Sequence, residues 1–124
     1  MTVKLGIAPI AWSNDDMPEL GGDTSLEQCL SEASQAGFIG IESGGKFPKK
    51  SEELIPKLNE FNLNLCSGWY GANLRTNSVN EEKNLIQEQL KLFKDCNSNS
   101  SEDFSVCFSA NSSLTVPNDS VILI

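Results

Sequence analysis

The chain contains 124 residues, of which 39% are hydrophobic, and its 17 acidic against 9 basic residues give a net charge of -8 at pH 7. This length fits one domain with a modest core. The charge provides no attraction to nucleic acid or to an anionic membrane, so we expect neither as a partner. No apolar run is long enough to cross a bilayer and the N-terminus lacks a signal-peptide pattern, which predicts a cytoplasmic protein.

The residue types that are missing also limit the chemistry. Without any histidine, the chain cannot carry out Ser-His-Asp or Cys-His catalysis, and a metal site within it would need carboxylate, amide, thiolate or water ligands. The cysteines are widely spaced and form no C-x-x-C pair, so neither a zinc site nor a redox dithiol is indicated. We expect free buried thiols at Cys29, Cys66, Cys96 and Cys107.

The first predicted unit is a strand followed by a helix. The apolar run "VKLGIAPIAW", residues 3–12, is typical of a strand that is buried on both faces. After a polar loop, Thr24 and Glu27 stand at capping-box spacing and predict the start of a helix, which Gly37 ends. The buried face of this helix is predicted to contain Leu26, Cys29, Leu30 and Ala33.

The same pattern occurs a second time. The run "FIGIES" predicts a short strand, and residues 51–61 predict a helix. Pro56 is unfavourable inside that helix because proline has no amide hydrogen to donate. The inward positions are predicted to be Leu54, Ile55, Leu58 and Phe61.

A third unit follows. The run "LNLCSGWY" predicts a strand, and Ser78 with Glu81 predicts another capped helix that extends to about Cys96. Its buried stripe is predicted to be Leu85, Ile86, Leu90 and Phe93. Three strand-loop-helix units in succession indicate an α/β fold with a parallel sheet. A doubly wound sheet and a (β/α)8 barrel both fit this order, but no strand is followed by the G-x-G-x-x-G turn of dinucleotide-binding sheets.

The character of the chain changes at about residue 97. Residues 97–124 are rich in serine and asparagine, contain no lysine or arginine, and include only two strand-like pieces, "FSVCF" and "SVILI". We therefore predict two parts, 1–96 and 97–124. The second part is interpreted either as a polar linker with a hairpin or frayed end, or as a tail foreign to the fold and produced by a shifted reading frame.

Polar and aromatic residues follow each predicted strand, at the edge of a parallel sheet where active sites are built. Carboxylates, an amide, an ammonium group and aromatic rings together suit a cyclic polyol, whose hydroxyls need donors and acceptors while its C–H face stacks on a ring. The candidates are Trp12, Asn14, Asp15, Asp16, Glu42, Lys46 and Trp69.

Most of these candidates also have a simpler structural interpretation. Asp15 and Asp16 are common turn formers, and Lys46 fits a solvated surface position. Trp69 equally fits the core. Glu42 favours a functional interpretation, because a carboxylate at the end of a mostly apolar strand needs a partner.

The longest family likeness lies in the first half of the chain. The stretch "KLGIAPIAWSNDDMPELGG", the helix "EQCLSEASQAGF" and the strand end "IES" with "KFP" behind it resemble the N-terminal part of inosose dehydratase. That family belongs to the sugar isomerase-like TIM barrels. The resemblance extends, more loosely, over residues 1–96. It implies three βα units of a barrel that needs about 250 residues, so the barrel is predicted to be incomplete here.

The resemblance also implies a reaction. Inosose dehydratases remove water from 2-keto-myo-inositol to give a trihydroxycyclohexanedione, in myo-inositol catabolism. A divalent metal, manganese or cobalt, is expected to stabilise the enediolate in the complete enzyme. The superfamily binds this metal through carboxylates and a histidine on later strands. We therefore expect no metal ligands in this chain, and no activity from the chain alone.

By the same resemblance, all seven candidates line the end of the barrel that binds the ring. Asn14, Asp16 and Glu42 are assigned to ring hydroxyls, and Lys46 to a polar or anionic group. The two tryptophans are assigned to the ring face, and no catalytic residue is assigned.

Two other functions remain open. The same superfamily includes sugar isomerases and epimerases, which use the same metal scaffold. A non-catalytic module that binds a polyol is a third interpretation. Association into a homo-oligomer is left open.

Overall fold

The computed structural model describes residues 3–98, 107–110 and 121–123. Strands and helices alternate over residues 4–98, which confirms the predicted α/β class and is compatible with its three βα units. The elements are β1 (Lys4–Ile7), a short 3-10 helix (Pro9–Ala11), α1 (Leu26–Gln35), β2 (Gly40–Glu42), α2 (Ser51–Glu60), β3 (Asn64–Tyr70), α3 (Val79–Ser98), β4 (Cys107–Ala110) and β5 (Val121–Leu123).

All the strand pairs of the sheet are parallel, in the order β4-β3-β2-β1-β5. Gly40 of β2 lies opposite Gly6 of β1 and Asn64 of β3. Three loops therefore follow the carboxyl ends of neighbouring strands and lie at one edge of the sheet: loop 1 (residues 8–25), loop 2 (43–50) and loop 3 (71–78). This arrangement is compatible with the start of a TIM barrel, which stays a prediction.

The first strand is shorter than the sequence predicts. It ends at Ile7, and Pro9 begins the 3-10 helix. Proline has no amide hydrogen for the strand ladder, so a strand over residues 3–12 was wrong. The prediction of burial on both faces was also wrong, because Leu5 is 37% exposed.

Helix α1 buries the predicted face but begins with a different cap. Cys29, Leu30 and Ala33 are in the core. Ser25, rather than Thr24, caps the helix, and its Oγ accepts from the Gln28 amide at 3.1 Å. The two hydroxyl residues are neighbours, and Ser25-x-x-Gln28 satisfies the same spacing rule as Thr24-x-x-Glu27.

The predicted stop at Gly37 is confirmed. Gly37 has φ of 90°, and its amide donates to the Ser34 carbonyl at 3.0 Å. The Phe38 amide donates to the Ala33 carbonyl at 3.2 Å. These two bonds form a Schellman motif, which needs the left-handed conformation that glycine adopts without strain.

Helix α2 contains Pro56 in its interior, five positions after its first residue. Leu54 and Leu58 are buried, as predicted. The helix ends through Asn62, which has φ of 55°, and the Leu63 amide donates to the Leu58 carbonyl at 3.0 Å. Asparagine tolerates this conformation better than most residues.

The cap of α3 is as predicted, but its buried stripe is not. The Ser78 amide donates to Glu81 Oε2 at 2.7 Å, and the Glu81 amide donates to Ser78 Oγ at 3.3 Å. Phe93 is buried as predicted, whereas Leu85 is 56% and Leu90 42% exposed, so these two assignments were wrong. The positions that are buried instead are Glu82, Leu92 and Cys96.

Gly68 allows α3 to approach the sheet closely. A Cβ at this position would lie 2.3 Å from Phe93 Cζ and 2.6 Å from Ser43 Oγ. Phe93 belongs to the core that the helices form against the sheet. The other core residues are Cys29, Leu30, Ala33, Ile41, Phe47, Leu54, Leu58, Leu63, Leu65, Leu92 and Cys96.

Three of the four cysteines are free and buried, as predicted: Cys29, Cys66 and Cys96. Burial raises the pKa of Cys29 to about 11, of Cys66 to about 12 and of Cys96 to about 11. A thiol with such a pKa stays protonated near neutral pH and is a poor nucleophile. The side chain of Cys107 is outside the described residues.

The second predicted part of the chain contributes strands to the sheet. The strand β4 overlaps the end of the predicted piece "FSVCF", whose first three residues lie outside the described ones, and it pairs with β3. The strand β5 lies within "SVILI" and pairs with β1. Both predicted pieces therefore contribute residues to strands at opposite edges of the sheet. The residues between α3 and β4, which were interpreted as part of a polar linker, lie outside the described ones. None of the helices in the described ranges has the length and apolar character needed to cross a membrane.

Candidate functional site

A cleft opens at the carboxyl edge of the sheet, between loop 1, the start of loop 2 and the ends of β2 and β3. Its volume is about 390 Å³. It brings together five of the seven candidates, which come from loop 1, β2 and β3. The residues that line this loop cleft are Pro9, Ile10, Ser13, Asn14, Asp15, Asp16, Glu42, Ser43, Gly44 and Trp69.

Asn14 shapes loop 1 as well as lining the cleft. Its Oδ1 accepts from the Asp16 amide at 2.9 Å and from the Met17 amide at 3.1 Å. Its own amide donates to the Leu20 carbonyl at 3.0 Å. These bonds make a compact turn, because an asparagine side chain can replace a backbone carbonyl in this geometry. Asp16 is exposed at the tip of that turn.

Glu42 and Trp69 form the opposite wall of the cleft. The Ser67 hydroxyl donates to Glu42 Oε2 at 2.8 Å, so this half-buried carboxylate has the partner that its position requires. Trp69 is 58% exposed, which excludes the alternative that it belongs to the core. An exposed indole beside carboxylates suits a ligand with an apolar face and polar edges.

Asp15 is a residue of loop 1 whose side chain contacts loop 2. Its Oδ2 accepts from the Gly45 amide at 2.7 Å. A side chain at Gly45 would meet this carboxylate, since an added Cβ would lie 2.8 Å from Asp15 Oδ1. The aspartate therefore lines the cleft and also joins the two loops.

Lys46 is not among the residues that line the cleft. Its Nζ donates to the carbonyls of Gly21 at 3.2 Å, Gly22 at 3.0 Å and Thr24. The residue is exposed, but its ammonium group binds loop 1. In this structure it therefore bonds to backbone instead of pointing into the space proposed for a ligand.

Trp12 is also outside the cleft. Its Nε1 donates to Glu32 Oε2 at 2.6 Å, and its ring packs against the hydrophobic core. Gln28 Nε2 donates to the other Glu32 oxygen at 2.9 Å. These bonds, first that from Gln28 and then that from Trp12, hold the pKa of Glu32 below its ordinary value. Trp12 thus attaches loop 1 to α1.

Loop 3 is organised by a buried carboxylate, Glu82, which was not among the predicted site residues. Glu82 accepts from Tyr70 Oη at 2.6 Å, from the Asn73 amide at 2.9 Å and from Asn77 Nδ2 at 2.8 Å. These bonds, with that from Tyr70 the largest, lower the pKa of Glu82, and the same bond raises the pKa of the Tyr70 phenol. The signal in the sequence that could have identified this residue was a second glutamate directly after the capping Glu81.

The described residues do not fit a divalent metal by themselves. Within residues 3–98 no three His, Cys, Asp or Glu side chains are grouped to hold an ion. Asp15 and Glu42 both lie at the cleft, but Asp15 comes from loop 1 and Glu42 from the end of β2, and each accepts a bond from within the protein.

The chain has several curated relatives, although no protein-family model matches it. It is 50% identical over 95 residues to the rhizopine catabolism protein MocC of Rhizobium meliloti, a match that covers 77% of this chain and 29% of the relative. It is 51% identical over 80 residues to inosose dehydratase 2 of Bacillus cereus, covering 64% and 27%. The chain is a relative of the inosose dehydratases.

A third match has the same character. Inosose dehydratase of Mesomycoplasma hyopneumoniae is 53% identical over 70 residues, covering 56% of this chain and 23% of the relative. The resemblance to inosose dehydratase is therefore confirmed. The name inosose dehydratase denotes an enzyme of the hydro-lyase class. The chain spans less than a third of the length of these relatives.

Proposed function

We propose that this chain provides polyol-binding loops of an inosose dehydratase, the hydro-lyase that removes water from 2-keto-myo-inositol. The observation that carries the proposal is the loop cleft. It places Asn14, Asp16 and Glu42 beside the exposed Trp69, in a chain that is 51% identical over 80 residues to a protein with that name. The product would be a trihydroxycyclohexanedione, formed in myo-inositol catabolism.

The side chains of the cleft suit the edges and face of an inosose ring. The carboxylates of Asp16 and Glu42 can accept hydrogen bonds from ring hydroxyls, and the Asn14 amide group can donate or accept. The Trp69 indole can cover the C–H face of the ring. These groups bind and orient the substrate, which lowers the entropic part of the barrier in the complete enzyme.

A divalent metal would supply the stabilisation of the developing oxyanion in the complete enzyme. Because the described residues do not fit a metal by themselves, we propose that the 124-residue chain alone has no dehydratase activity. Incubation of purified chain with 2-keto-myo-inositol and Mn²⁺ or Co²⁺ tests this point. Formation of dione that depends on the metal would contradict it.

Binding by this chain is the direct test of the cleft. Isothermal titration calorimetry with 2-keto-myo-inositol should give binding, and Glu42→Ala should weaken it about ten- to a hundredfold, because hydrogen bonds to charged groups contribute about 1.5–3 kcal/mol. Glu52→Ala is the matched control, since Glu52 is an exposed carboxylate at the start of α2 and away from the cleft. Equal affinity in the three proteins would remove the cleft as the binding site.

The reaction is tested in a full-length inosose dehydratase that carries the same loops. Replacing the residue equivalent to Asp16 or Glu42 by alanine should lower kcat/KM by about ten- to a hundredfold. The residue equivalent to Glu52 should change it little. Product analysis separates dehydration from isomerisation, since only dehydration yields a dione.

A further inference from the structure

Loop 1 and loop 2 are joined by two charged side chains that cross in opposite directions. Asp15 of loop 1 accepts from the Gly45 amide of loop 2 at 2.7 Å. Lys46 of loop 2 donates to the backbone of loop 1. We call this pair of contacts the loop clasp; its members are Asp15, Gly45 and Lys46 with the carbonyls of Gly21, Gly22 and Thr24.

The bonds of Lys46 account for its whole donor capacity. A lysine ammonium group has three hydrogens to donate, and three carbonyl oxygens of loop 1 accept from it. No donor then remains for a ligand. Lys46 is also absent from the lining of the cleft, which excludes a direct contact in this arrangement.

Glycine at two positions makes the clasp sterically specific. A Cβ at Gly45 would lie 2.8 Å from Asp15 Oδ1, so an added side chain would make the carboxylate shift from its present position. Gly21 has φ of 75°, and a Cβ there would lie 1.9 Å from the Trp12 carbonyl oxygen. A side chain at Gly45 would displace the Asp15 carboxylate, and one at Gly21 would meet the backbone of loop 1 itself.

The clasp holds the part of loop 1 that carries the proposed ligand contacts. Asn14 and Asp16 flank Asp15 in sequence, and Glu42 directly precedes loop 2. Fixing loop 1 on loop 2 therefore fixes the separation between the two walls of the cleft. We infer that Asp15 and Lys46 are positioning residues, which act on a cyclic polyol through the placement of Asn14 and Asp16. The ligand in this inference rests on the proposed function; the clasp itself does not.

Hydrogen exchange in the ligand-free chain tests the clasp directly. The amides to follow by NMR are those of Asp16 and Met17, which donate to Asn14. Breaking the clasp by Asp15→Ala or Lys46→Met should speed their exchange about ten- to a hundredfold, since each variant removes hydrogen bonds to a charged group. The matched controls are Asp23→Ala in loop 1 and Lys50→Met in loop 2, which change exposed residues outside the clasp.

Unchanged exchange in both clasp variants would overturn the inference. Asp15→Asn keeps the shape of the side chain and loses only its charge, so it serves if the alanine variant does not fold. Leu54→Val serves as a control for general destabilisation, because Leu54 lies on the buried face of α2 and belongs to the core. It should lower Tm and leave exchange in loop 1 unchanged under native conditions.

Calorimetry with 2-keto-myo-inositol then separates positioning from direct contact. Either clasp variant should weaken binding, and the double variant should lose little more than the weaker-binding single variant, because both changes break one unit. Weaker binding with unchanged exchange would show direct contact with the ligand and contradict the inference. If the unmodified chain does not bind this probe, the proposed function fails, while the exchange experiment still decides the role of the clasp.

Discussion

At the scale of single residues, Glu82 shows how one carboxylate orders a loop. It is 7% exposed and accepts bonds from the phenol at the end of β3 and from a backbone amide and a side-chain amide of loop 3. A buried charge is tolerated only when it is well hydrogen-bonded. Loop 3 therefore takes its shape around Glu82.

We predict that Glu82→Gln lowers Tm in a way that depends on pH. The pKa of Glu82 is below its ordinary value of 4.5 in the folded chain, so the ionised form stabilises the fold. This contribution is present above pH 4.5 and is lost as pH falls through the lowered value. The difference in Tm between the two proteins should be largest near neutral pH and should narrow in acid.

Thermal melts followed by circular dichroism at several pH values measure this difference. Glu88→Gln is the control, because Glu88 lies exposed on the same helix. A difference in Tm for Glu82→Gln that is the same from neutral pH to acid would contradict the assigned role.

The close approach at Gly68 leads to a second prediction. Gly68→Ala should lower the free energy of unfolding by about 1–3 kcal/mol, because the added methyl group meets Phe93 Cζ at 2.3 Å and overpacks the site. Urea unfolding measures the change. Gly71→Ala is the control, as nothing lies within 4 Å of a Cβ there. Equal stability of the two variants would show that β3 and α3 can move apart without cost.

Single residues also show which parts of the site were predictable. Asn14, Asp16, Glu42 and Trp69 meet in the cleft because the ends of parallel strands lie at one edge, which the sequence pattern predicts. The partners of Lys46 are backbone carbonyls 22 to 25 residues earlier in the chain. No side-chain pattern identifies such acceptors, so the position of its ammonium group could not be predicted.

At the scale of whole elements, α3 shows the limit of apolar periodicity. Its leucines favour a stripe through Leu85 and Leu90, yet both are exposed. The helix is instead rotated so that Glu82 reaches its donors in loop 3 while Phe93 still reaches the core. A pattern that counts only apolar residues gives no weight to a buried hydrogen-bonded carboxylate.

Helix α2 contains a proline in its interior, Pro56, which is unfavourable for a helix. Pro56→Ala should raise the free energy of unfolding by about 1–3 kcal/mol, because alanine restores an amide donor inside the helix and removes a poor helix former. Pro56 is exposed, so no packing is lost. Urea unfolding provides the measurement, with the exposed Asn59→Ala as the comparison. A gain no larger than that of Asn59→Ala would mean that the helix has adapted to the proline.

At the scale of the whole molecule, residues 97–124 are the least expected feature. They add β4 to one edge of the three-strand sheet and β5 to the other. Short strands that cover the edges protect them from pairing with other chains. The order of the first three strands was predictable from hydrophobic runs, whereas the pairing of β5 with β1 depends on contacts far apart in sequence.

We predict that a chain truncated after residue 98 is less stable and associates more. It would lack Cys107–Ala110 and Val121–Leu123, and so expose β3 and β1 as sheet edges. Thermal melts and sedimentation velocity should show a lower Tm and larger species than for the full chain. The same Tm and the same sedimentation coefficient would mean that the two edge strands contribute nothing.

We predict that residues 97–124 were produced by a shifted reading frame. These residues are rich in serine and asparagine and contain no lysine or arginine, unlike the chain before them. Translating the DNA downstream of α3 in the other two frames should reveal further strand-helix units with histidine and carboxylates. If neither frame continues the barrel, the tail is native to this protein.

The two tryptophans differ in a way that extends to spectroscopy. Trp12 bonds to Glu32 and packs against the core, whereas Trp69 stands exposed beside the cleft. We expect these environments to give the two indoles different emission maxima, since a solvated indole emits at longer wavelength than a packed one. With these the only indoles in the chain, exchanging either for phenylalanine isolates the other. The protein thus contains separate optical reporters for the docking of loop 1 on α1 and for events inside the cleft.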